Sequence, residues 1–317
     1  MTGAPGEPLD RALARAWAVR RAHFPDEITF AVPGMIRYDT SAHTNRRESF
    51  AAVSVTGAGC RLGCEHCRGR LLEGMIPVRD PGHLERVGSV LARRGASGIL
   101  LTGGCDEQGR VPLGPFLPTV PALKALGLTV LAHTGLVTRS EAGALRDAGV
   151  DQVLADVVGD PDTAREVLHL DRGLDDHLRS LAHLVEAGLA VAPHVVVGLH
   201  FGRIRGEPRA LEALGRLGVE RLVLVALKPL PGTPMEGVEG PEPGAVAALA
   251  ALARVTSPRA RVSFGCARPH GPGRKALERC LVDAGVNSLA FPAEDTVRHA
   301  AGRGLRCRFV ERCCSMA

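Results

Sequence analysis

Three cysteines in one short stretch are the residues best equipped for chemistry in this chain. Cys60, Cys64 and Cys67 are spaced C-x3-C-x2-C. Three thiolates on one loop suit a metal or an iron–sulfur cluster. Structural zinc takes four ligands, usually in paired knuckles, and no fourth cysteine lies nearby, although His66 between two of the thiols could serve. A [4Fe–4S] cluster held by three thiolates leaves one iron open to an outside ligand, which fits the loop better. The remaining cysteines are Cys105, Cys266, Cys280, Cys307, Cys313 and Cys314. An odd total of 9 over 317 residues is a poor disulfide framework and points to reduced thiols.

The elements that must position this loop are legible as a rhythm. Short Val- and Leu-rich runs recur at 51–56, 98–102, 128–133, 152–157, 190–197, 221–226, 262–265 and 288–291. Helix-like segments such as 81–94, 140–148, 174–187, 208–218 and 244–255 separate them. Several of these close on a glycine just before the next run, as at Gly149, Gly188, Gly218 and Gly285, the left-handed stop of a helix C-terminus. Continuous rather than alternating apolar runs indicate a parallel sheet covered by helices, and eight such units predict a (β/α)8 TIM-type barrel. The alternative is a partial β6/α6 barrel with a C-terminal lobe. The expected organisation is an N-terminal helix and hairpin extension over 1–50, the barrel over 51–303 and a cysteine-containing tail over 304–317. Within the extension, 8–23 reads as a surface helix, and the Pro-Gly pair inside 28–40 reads as a hairpin.

Composition narrows the partners. Hydrophobic residues at 45% and charged residues at 23% are those of a globular protein. A net charge of +5 and an aromatic content of 3% give neither the field nor the stacking surfaces that nucleic acid requires. No run reaches the roughly 18 apolar residues of a membrane span, and the N-terminus has no apolar signal core. The expectation is a cytoplasmic protein with no membrane or nucleic-acid partner.

In a barrel of this kind chemistry belongs at the C-terminal ends of the strands. Cys60, Cys64 and Cys67 follow the first run. Gly103, Gly104 and Cys105 follow the second. His133 ends the third and Asp156 the fourth, Gly198 and His200 follow the fifth, and Cys266 follows the seventh.

The three-cysteine loop directly after a first barrel strand resembles the signature of the radical S-adenosylmethionine (SAM) superfamily. The likeness extends over about residues 50 to 300. It implies that a [4Fe–4S] cluster on Cys60, Cys64 and Cys67 binds SAM and cleaves it reductively. The 5′-deoxyadenosyl radical so formed removes hydrogen from an unactivated C–H bond. It further implies that Gly103 and Gly104 meet the methionine end of SAM, with Cys105 where the family often has an acidic residue. His66, Asp156 and Gly198 are implied as contacts to the rest of SAM, though no glutamate is evident at the end of the 194–200 motif. Cys105, His133 and His200 are the candidate catalytic groups.

The stretches 228–235, 265–269 and 284–288 are similar to the biotin synthase-like branch, and phrases such as 103–113, 133–136 and 198–202 resemble the two-component lipoyl synthases. That likeness implies sulfur insertion into a protein-bound octanoyl chain. Its partners would be a flavodoxin- or ferredoxin-type electron donor, an acyl-carrying protein and a second radical SAM subunit. The cysteines that hold the second cluster of biotin synthase have no counterpart on runs two, three and five, and residues 1–59 hold no cysteine set like that of single-chain lipoyl synthase. A second Fe–S cluster, if built, draws on Cys266, Cys307, Cys313 and Cys314; otherwise these are buried or reactive thiols. Cys280 reads as helix packing. Other outcomes of the same resemblance are a radical methylation, rearrangement or cofactor-maturation reaction on a small molecule. A non-enzymatic Fe–S scaffold or partner subunit is the alternative of another class.

Overall fold

The computed structural model describes residues 7–268, 271 and 273–317. All eight expected runs are strands of one parallel sheet. In chain order the strands are β1 (Glu27–Ala31), β2 (Ala51–Ser54), β3 (Ile76–Pro77), β4 (Gly98–Thr102), β5 (Thr129–His133) and β6 (Gln152–Asp156). There follow β7 (Val191–Val197), β8 (Arg221–Ala226), β9 (Arg261–Phe264), β10 (Ser288–Ala290) and β11 (Arg306–Val310). The helices that return the chain include α1 (Leu9–His23), α2 (Pro81–Arg93), α3 (Val120–Ala125), α4 (Arg139–Asp147) and α5 (Pro161–Val167). The rest are α6 (Leu174–Glu186), α7 (Glu207–Leu217), α8 (Pro243–Thr256), α9 (Arg274–Asp283) and α10 (Glu294–Gly302).

The sheet runs β11-β1-β10-β9-β8-β7-β6-β5-β4-β2-β3. It is an α/β barrel in open form: among the described residues, no pairing returns from β11 to β2 or β3. The expected closed circle and the hairpin over 28–40 are both corrected by the same strand. β1 pairs parallel with β10 on one side and β11 on the other, so it takes the place where β2 would close the barrel. Its apolar sequence, buried from Ile28 to Ala31, can enter any parallel sheet, and only long-range pairing decides which. Within the described residues ahead of β2, α1 packs on α8, and β1 is an inner strand.

The strand period of two sorts side chains into two cores. Val130, Ala132, Val153, Ala155, Val195 and Val197 face the helices. Leu131, Leu154, Ala192, Val223 and Ala290 face the lumen, where they meet Cys313, Cys314 and Ala317. The C-terminal segment rises as β11, turns over the rim and re-enters the barrel. Gln152 and Arg221, at strand starts, hold it there by hydrogen bonds to the Ser315 carbonyl at 3.3 and 3.2 Å.

The end of the repeat is tied by a buried ion pair. Arg268 donates to Glu278 at 2.9 Å and to the carbonyls of Ala290 and Phe291 at 2.6 and 2.8 Å. Glu278 also accepts from Ala293 N and Thr296 Oγ1, so the carboxylate is satisfied out of water, while Arg268 Nε is buried without a partner. No described helix is long and apolar enough to cross a membrane.

Candidate active site

The cysteine loop leaves β2 and lies across the mouth of the barrel. It is anchored to the turn after β4 and to the C-terminal end of α5 with the residues that follow it. Arg61 N donates to the Cys105 carbonyl at 2.8 Å, and Glu65 N to the Val167 carbonyl at 2.8 Å. His169 bonds the Leu62 carbonyl at 2.8 Å and the Glu65 carboxylate at 2.9 Å. Gly63 and Gly69 take φ values of 55° and 79°, which let the loop coil tightly enough to set three thiols on one side.

Beside it runs the turn after β4. Gly104 N donates to Thr56 Oγ1 at 2.7 Å. A Cβ on Gly104 would stand 2.0 Å from the Gly59 carbonyl oxygen and 2.6 Å from Cys60 Cα. The glycine is therefore required by the cysteine loop itself.

Loop and turn open on one cleft of about 920 Å³. Its walls carry Cys60, Cys64, Cys67, His66, Gly103, Gly104, Cys105, His133 and Asp156. The rest of the lining is mostly aliphatic, including Leu62, Leu71, Leu72, Met75, Leu136 and Leu168. Nine of the residues expected from sequence thus converge. Gly198 and His200 do not. Gly198, at φ 75°, turns the chain away beneath Pro241, and its N–H donates to Glu207 Oε1 at 2.7 Å. The glutamate missing from the 194–200 motif is thereby supplied from α7, in a structural role. His200 is buried against α5, 3.2 Å from Thr163 Oγ1 and 3.3 Å from Arg205, and it faces no part of the cleft. Arg205 is itself tied to Asp160 and Asp162.

The electrostatics separate the thiols. The hydrogen bond from Cys64 pulls Cys67 down to about 4, with His66 helping, whereas the same bond and burial push Cys64 up. Burial, with the neighbouring Cys60 and Asp156, pushes Cys105 up to about 12, so it stays a thiol. Deeper in, His133 Nε2 lies 3.6 Å from Asp156 Oδ1, and its ring meets His194 edge-on at 5.8 Å. Burial lowers His133 but Asp156 outweighs it, so the imidazole is raised. Burial also opposes the Asp156 charge, yet His133 holds that carboxyl well below the usual range. The Asp156 side chain is 48% open, toward the cleft, although it lies deep within the molecule. Burial and the His133 charge lower His194 to about 4, leaving it neutral.

His177 was not foreseen. It sits on the apolar stripe of α6 with Leu174, Leu181 and Leu184, where a histidine usually reads as core. Its Nδ1 bonds the Asp156 carbonyl at 3.0 Å, and its Nε2 is buried at the cleft with no partner. His66 Nδ1 is likewise buried and unpartnered. Two orphaned nitrogens, three thiols on one loop and a glycine turn without side-chain bulk fit an Fe–S cluster with a polar ligand beside it. Among the described residues, no three His, Cys, Asp or Glu side chains converge as tightly as a single ion needs.

No family model matches the chain. It is 30% identical to a biotin synthase of Methylobacterium radiotolerans, over 75% of this chain and 72% of that one. It is 28% identical to a biotin synthase of Stenotrophomonas maltophilia, over 90% and 77% respectively. Methylornithine synthase (PylB) shares its fold with a TM-score of 0.64 at 14% identity, covering 96% of this chain and 90% of that one. The FeFe-hydrogenase maturase HydG from Carboxydothermus hydrogenoformans does so with a TM-score of 0.66 at 17% identity, covering 96% and 73%. Fold and site together define a radical SAM enzyme, a class that works with a [4Fe–4S] cluster and SAM. The chain belongs to the biotin synthase-like branch of that superfamily.

Proposed function

We propose that this enzyme inserts sulfur at an unactivated C–H bond of an acyl chain, with a protein-bound octanoyl group as substrate, in the manner of lipoyl synthesis. The observation that carries the reading is the cleft: aliphatic walls of Leu62, Leu71, Leu72, Met75, Leu136 and Leu168 meet the three-thiol loop in one space, which suits an alkyl chain laid against a polar reacting end. Kinship with biotin synthases supports sulfur as the inserted atom. The strand cysteines that would hold biotin synthase's second cluster are missing from β4, β5 and β7, which favours a different acceptor.

Cys60, Cys64 and Cys67 are the residues to hold the cluster, with Gly103, Gly104, His66, Asp156 and His177 around SAM. When bound, cluster and SAM supply a carbon radical able to take hydrogen from a C–H bond. The protein's own part is placement and exclusion. Gly104 seats the loop against β4. The free nitrogens of His66 and His177 offer hydrogen bonds to a polar ligand. His133 and Asp156 place a charged pair at the cleft floor, and the aliphatic walls keep water from the acyl chain. Cys105, kept neutral beside Cys60, is a thiol donor at the edge of the reacting space. A flavodoxin- or ferredoxin-type protein supplies electrons, and an acyl-carrying protein and a second radical SAM subunit complete the assembly.

The test is anaerobic incubation of reconstituted enzyme with SAM, a reductant and an octanoyl-lysine peptide, alone and with a second subunit, followed by mass spectrometry of the peptide. Mass gain corresponding to inserted sulfur supports the assignment. SAM cleavage with an unchanged peptide under both conditions overturns the octanoyl substrate.

A further inference from the structure

The thiols outside the three-cysteine loop do not gather as expected from sequence. Cys313 and Cys314 pack inside the lumen core, whereas the Cys307 sulfur points at the carbonyls of Val297 and Leu305 on the helix side of β11. This corrects their grouping with Cys307, because the period of two, not nearness along the chain, decides which side chains share the lumen. The loop itself, by contrast, is gripped by a distant segment. The carbonyl of Val167, the last residue of α5, accepts from Glu65 N at 2.8 Å. His169, two residues on, meets the Leu62 carbonyl through Nδ1 at 2.8 Å and the Glu65 carboxylate through Nε2 at 2.9 Å.

We propose that His169 is a positioning residue of the iron–sulfur centre: it clamps the loop at Leu62 and Glu65, on both sides of Cys64, and so fixes where the thiolates stand and the potential at which their cluster takes up an electron. The inference rests on the cluster assignment at Cys60, Cys64 and Cys67 and not on the acyl substrate.

The backbone is the first support. His169 stands at φ 55°, in the left-handed region that non-glycine residues seldom enter. Such a conformation persists where its surroundings over-determine it, and here both ring nitrogens find partners on the loop. The chemistry of those partners is the second. A carbonyl and a carboxylate only accept, so each ring nitrogen meets its partner with an N–H, and the contact to Glu65 is charge-assisted. The Glu65 side chain is only 16% exposed, and Arg68 bonds the same carboxylate oxygen. Glu65 is thus shared between two cations, of which His169 is the one that comes from outside the loop. Groups so placed orient cluster ligands and set the charge beside them, and both act on cluster potential. The flanking Leu168 and Leu170 line the cleft, so the segment that carries the clamp is also part of the wall beside the loop.

Asparagine separates the two contacts. It tolerates the left-handed backbone, and its amide nitrogen replaces Nδ1 toward the Leu62 carbonyl, but it brings no charge to Glu65.

Wild type, His169→Ala, His169→Asn and Glu65→Gln, reconstituted anaerobically with ferrous iron and sulfide, are compared by iron retention against a ferrous chelator and by EPR-monitored redox titration. Neither measurement needs a substrate. His169→Ala should hold iron about 10- to 100-fold more weakly. Its midpoint potential should fall, because a positive charge that favours the reduced cluster is lost. His169→Asn should recover iron retention and keep the lowered potential, and Glu65→Gln should raise the potential. Wild-type retention and potential in His169→Ala overturn the proposal. So does iron loss from His169→Asn equal to that from His169→Ala, or a potential that moves the same way in the histidine and glutamate variants. Should His169→Ala not fold, the opposed shifts of His169→Asn and Glu65→Gln decide alone. An octanoyl peptide left unchanged by the wild type bears on none of these readouts, so failure of the clamp and failure of the proposed activity are told apart.

Discussion

Gly104 and the pair of His133 with Asp156 carry the sharpest consequences at the scale of single residues. Because a Cβ at position 104 would run into Gly59 and Cys60, Gly104→Ala should disturb the cysteine loop first and the ligand only through it. The expected cost is about 1–3 kcal/mol of stability, as for overpacking, together with reduced iron loading and reduced SAM affinity. Unchanged iron content with selectively lost SAM binding would return the glycine to a ligand-facing role. For His133, the charged imidazole gained through Asp156 stabilises the fold fully below its ordinary value of 6.5, and the gain is lost as pH rises through the elevated folded value. Asp156 works in the opposite sense: its contribution is complete above 3.8 and fades as pH falls through its depressed folded value. Asp156→Asn should therefore lower the His133 titration midpoint, read from imidazole NMR signals of the apoprotein. A midpoint that does not move would show that the two groups are not coupled.

At the scale of elements, the junction of β9, α9 and β10 depends on one buried carboxylate. Removing it by Glu278→Ala would strand the Arg268 guanidinium, which is 0% exposed, without its counter-charge. Breaking such a pair from one side costs about 3–5 kcal/mol, so denaturant midpoints should fall sharply, and a variant within error of wild type would refute this account of the junction. The N-terminal strand makes a similar case. Phe30 is fully buried and its ring lies 5.4 Å from Phe309, so β1 supports β11 and the segment that β11 feeds into the lumen. Phe30→Ala should cost about 3–5 kcal/mol and raise hydrogen exchange in 306–317 ahead of the rest of the sheet. Uniform loosening would mean that β1 does not specifically hold the tail.

At the scale of the whole molecule, what could be read from sequence follows a physical division. The eight strand runs were legible because a two-faced parallel strand is written as a local apolar block, and the glycine stops because helix C-termini need a left-handed residue. The thiol loop was legible because its ligands are neighbours in the chain. Long-range pairing was not. Ile28 to Ala31 read as half of a hairpin because nothing local distinguishes that strand from one meant for β10 and β11. His177 reads as a core residue because only the fold brings α6 under Asp156. His200 sits three residues past β7 and yet faces α5, because Gly198 turns the chain first. The central claim is that the cleft at Cys60, Cys64 and Cys67 performs reductive SAM cleavage. Its most direct test is anaerobic reconstitution of wild type and of the triple alanine variant, incubation with SAM and dithionite, and mass spectrometry for 5′-deoxyadenosine. The account predicts the nucleoside from wild type and none above background from the variant; equal amounts from both, or none from a wild type shown to be loaded with iron, would contradict it.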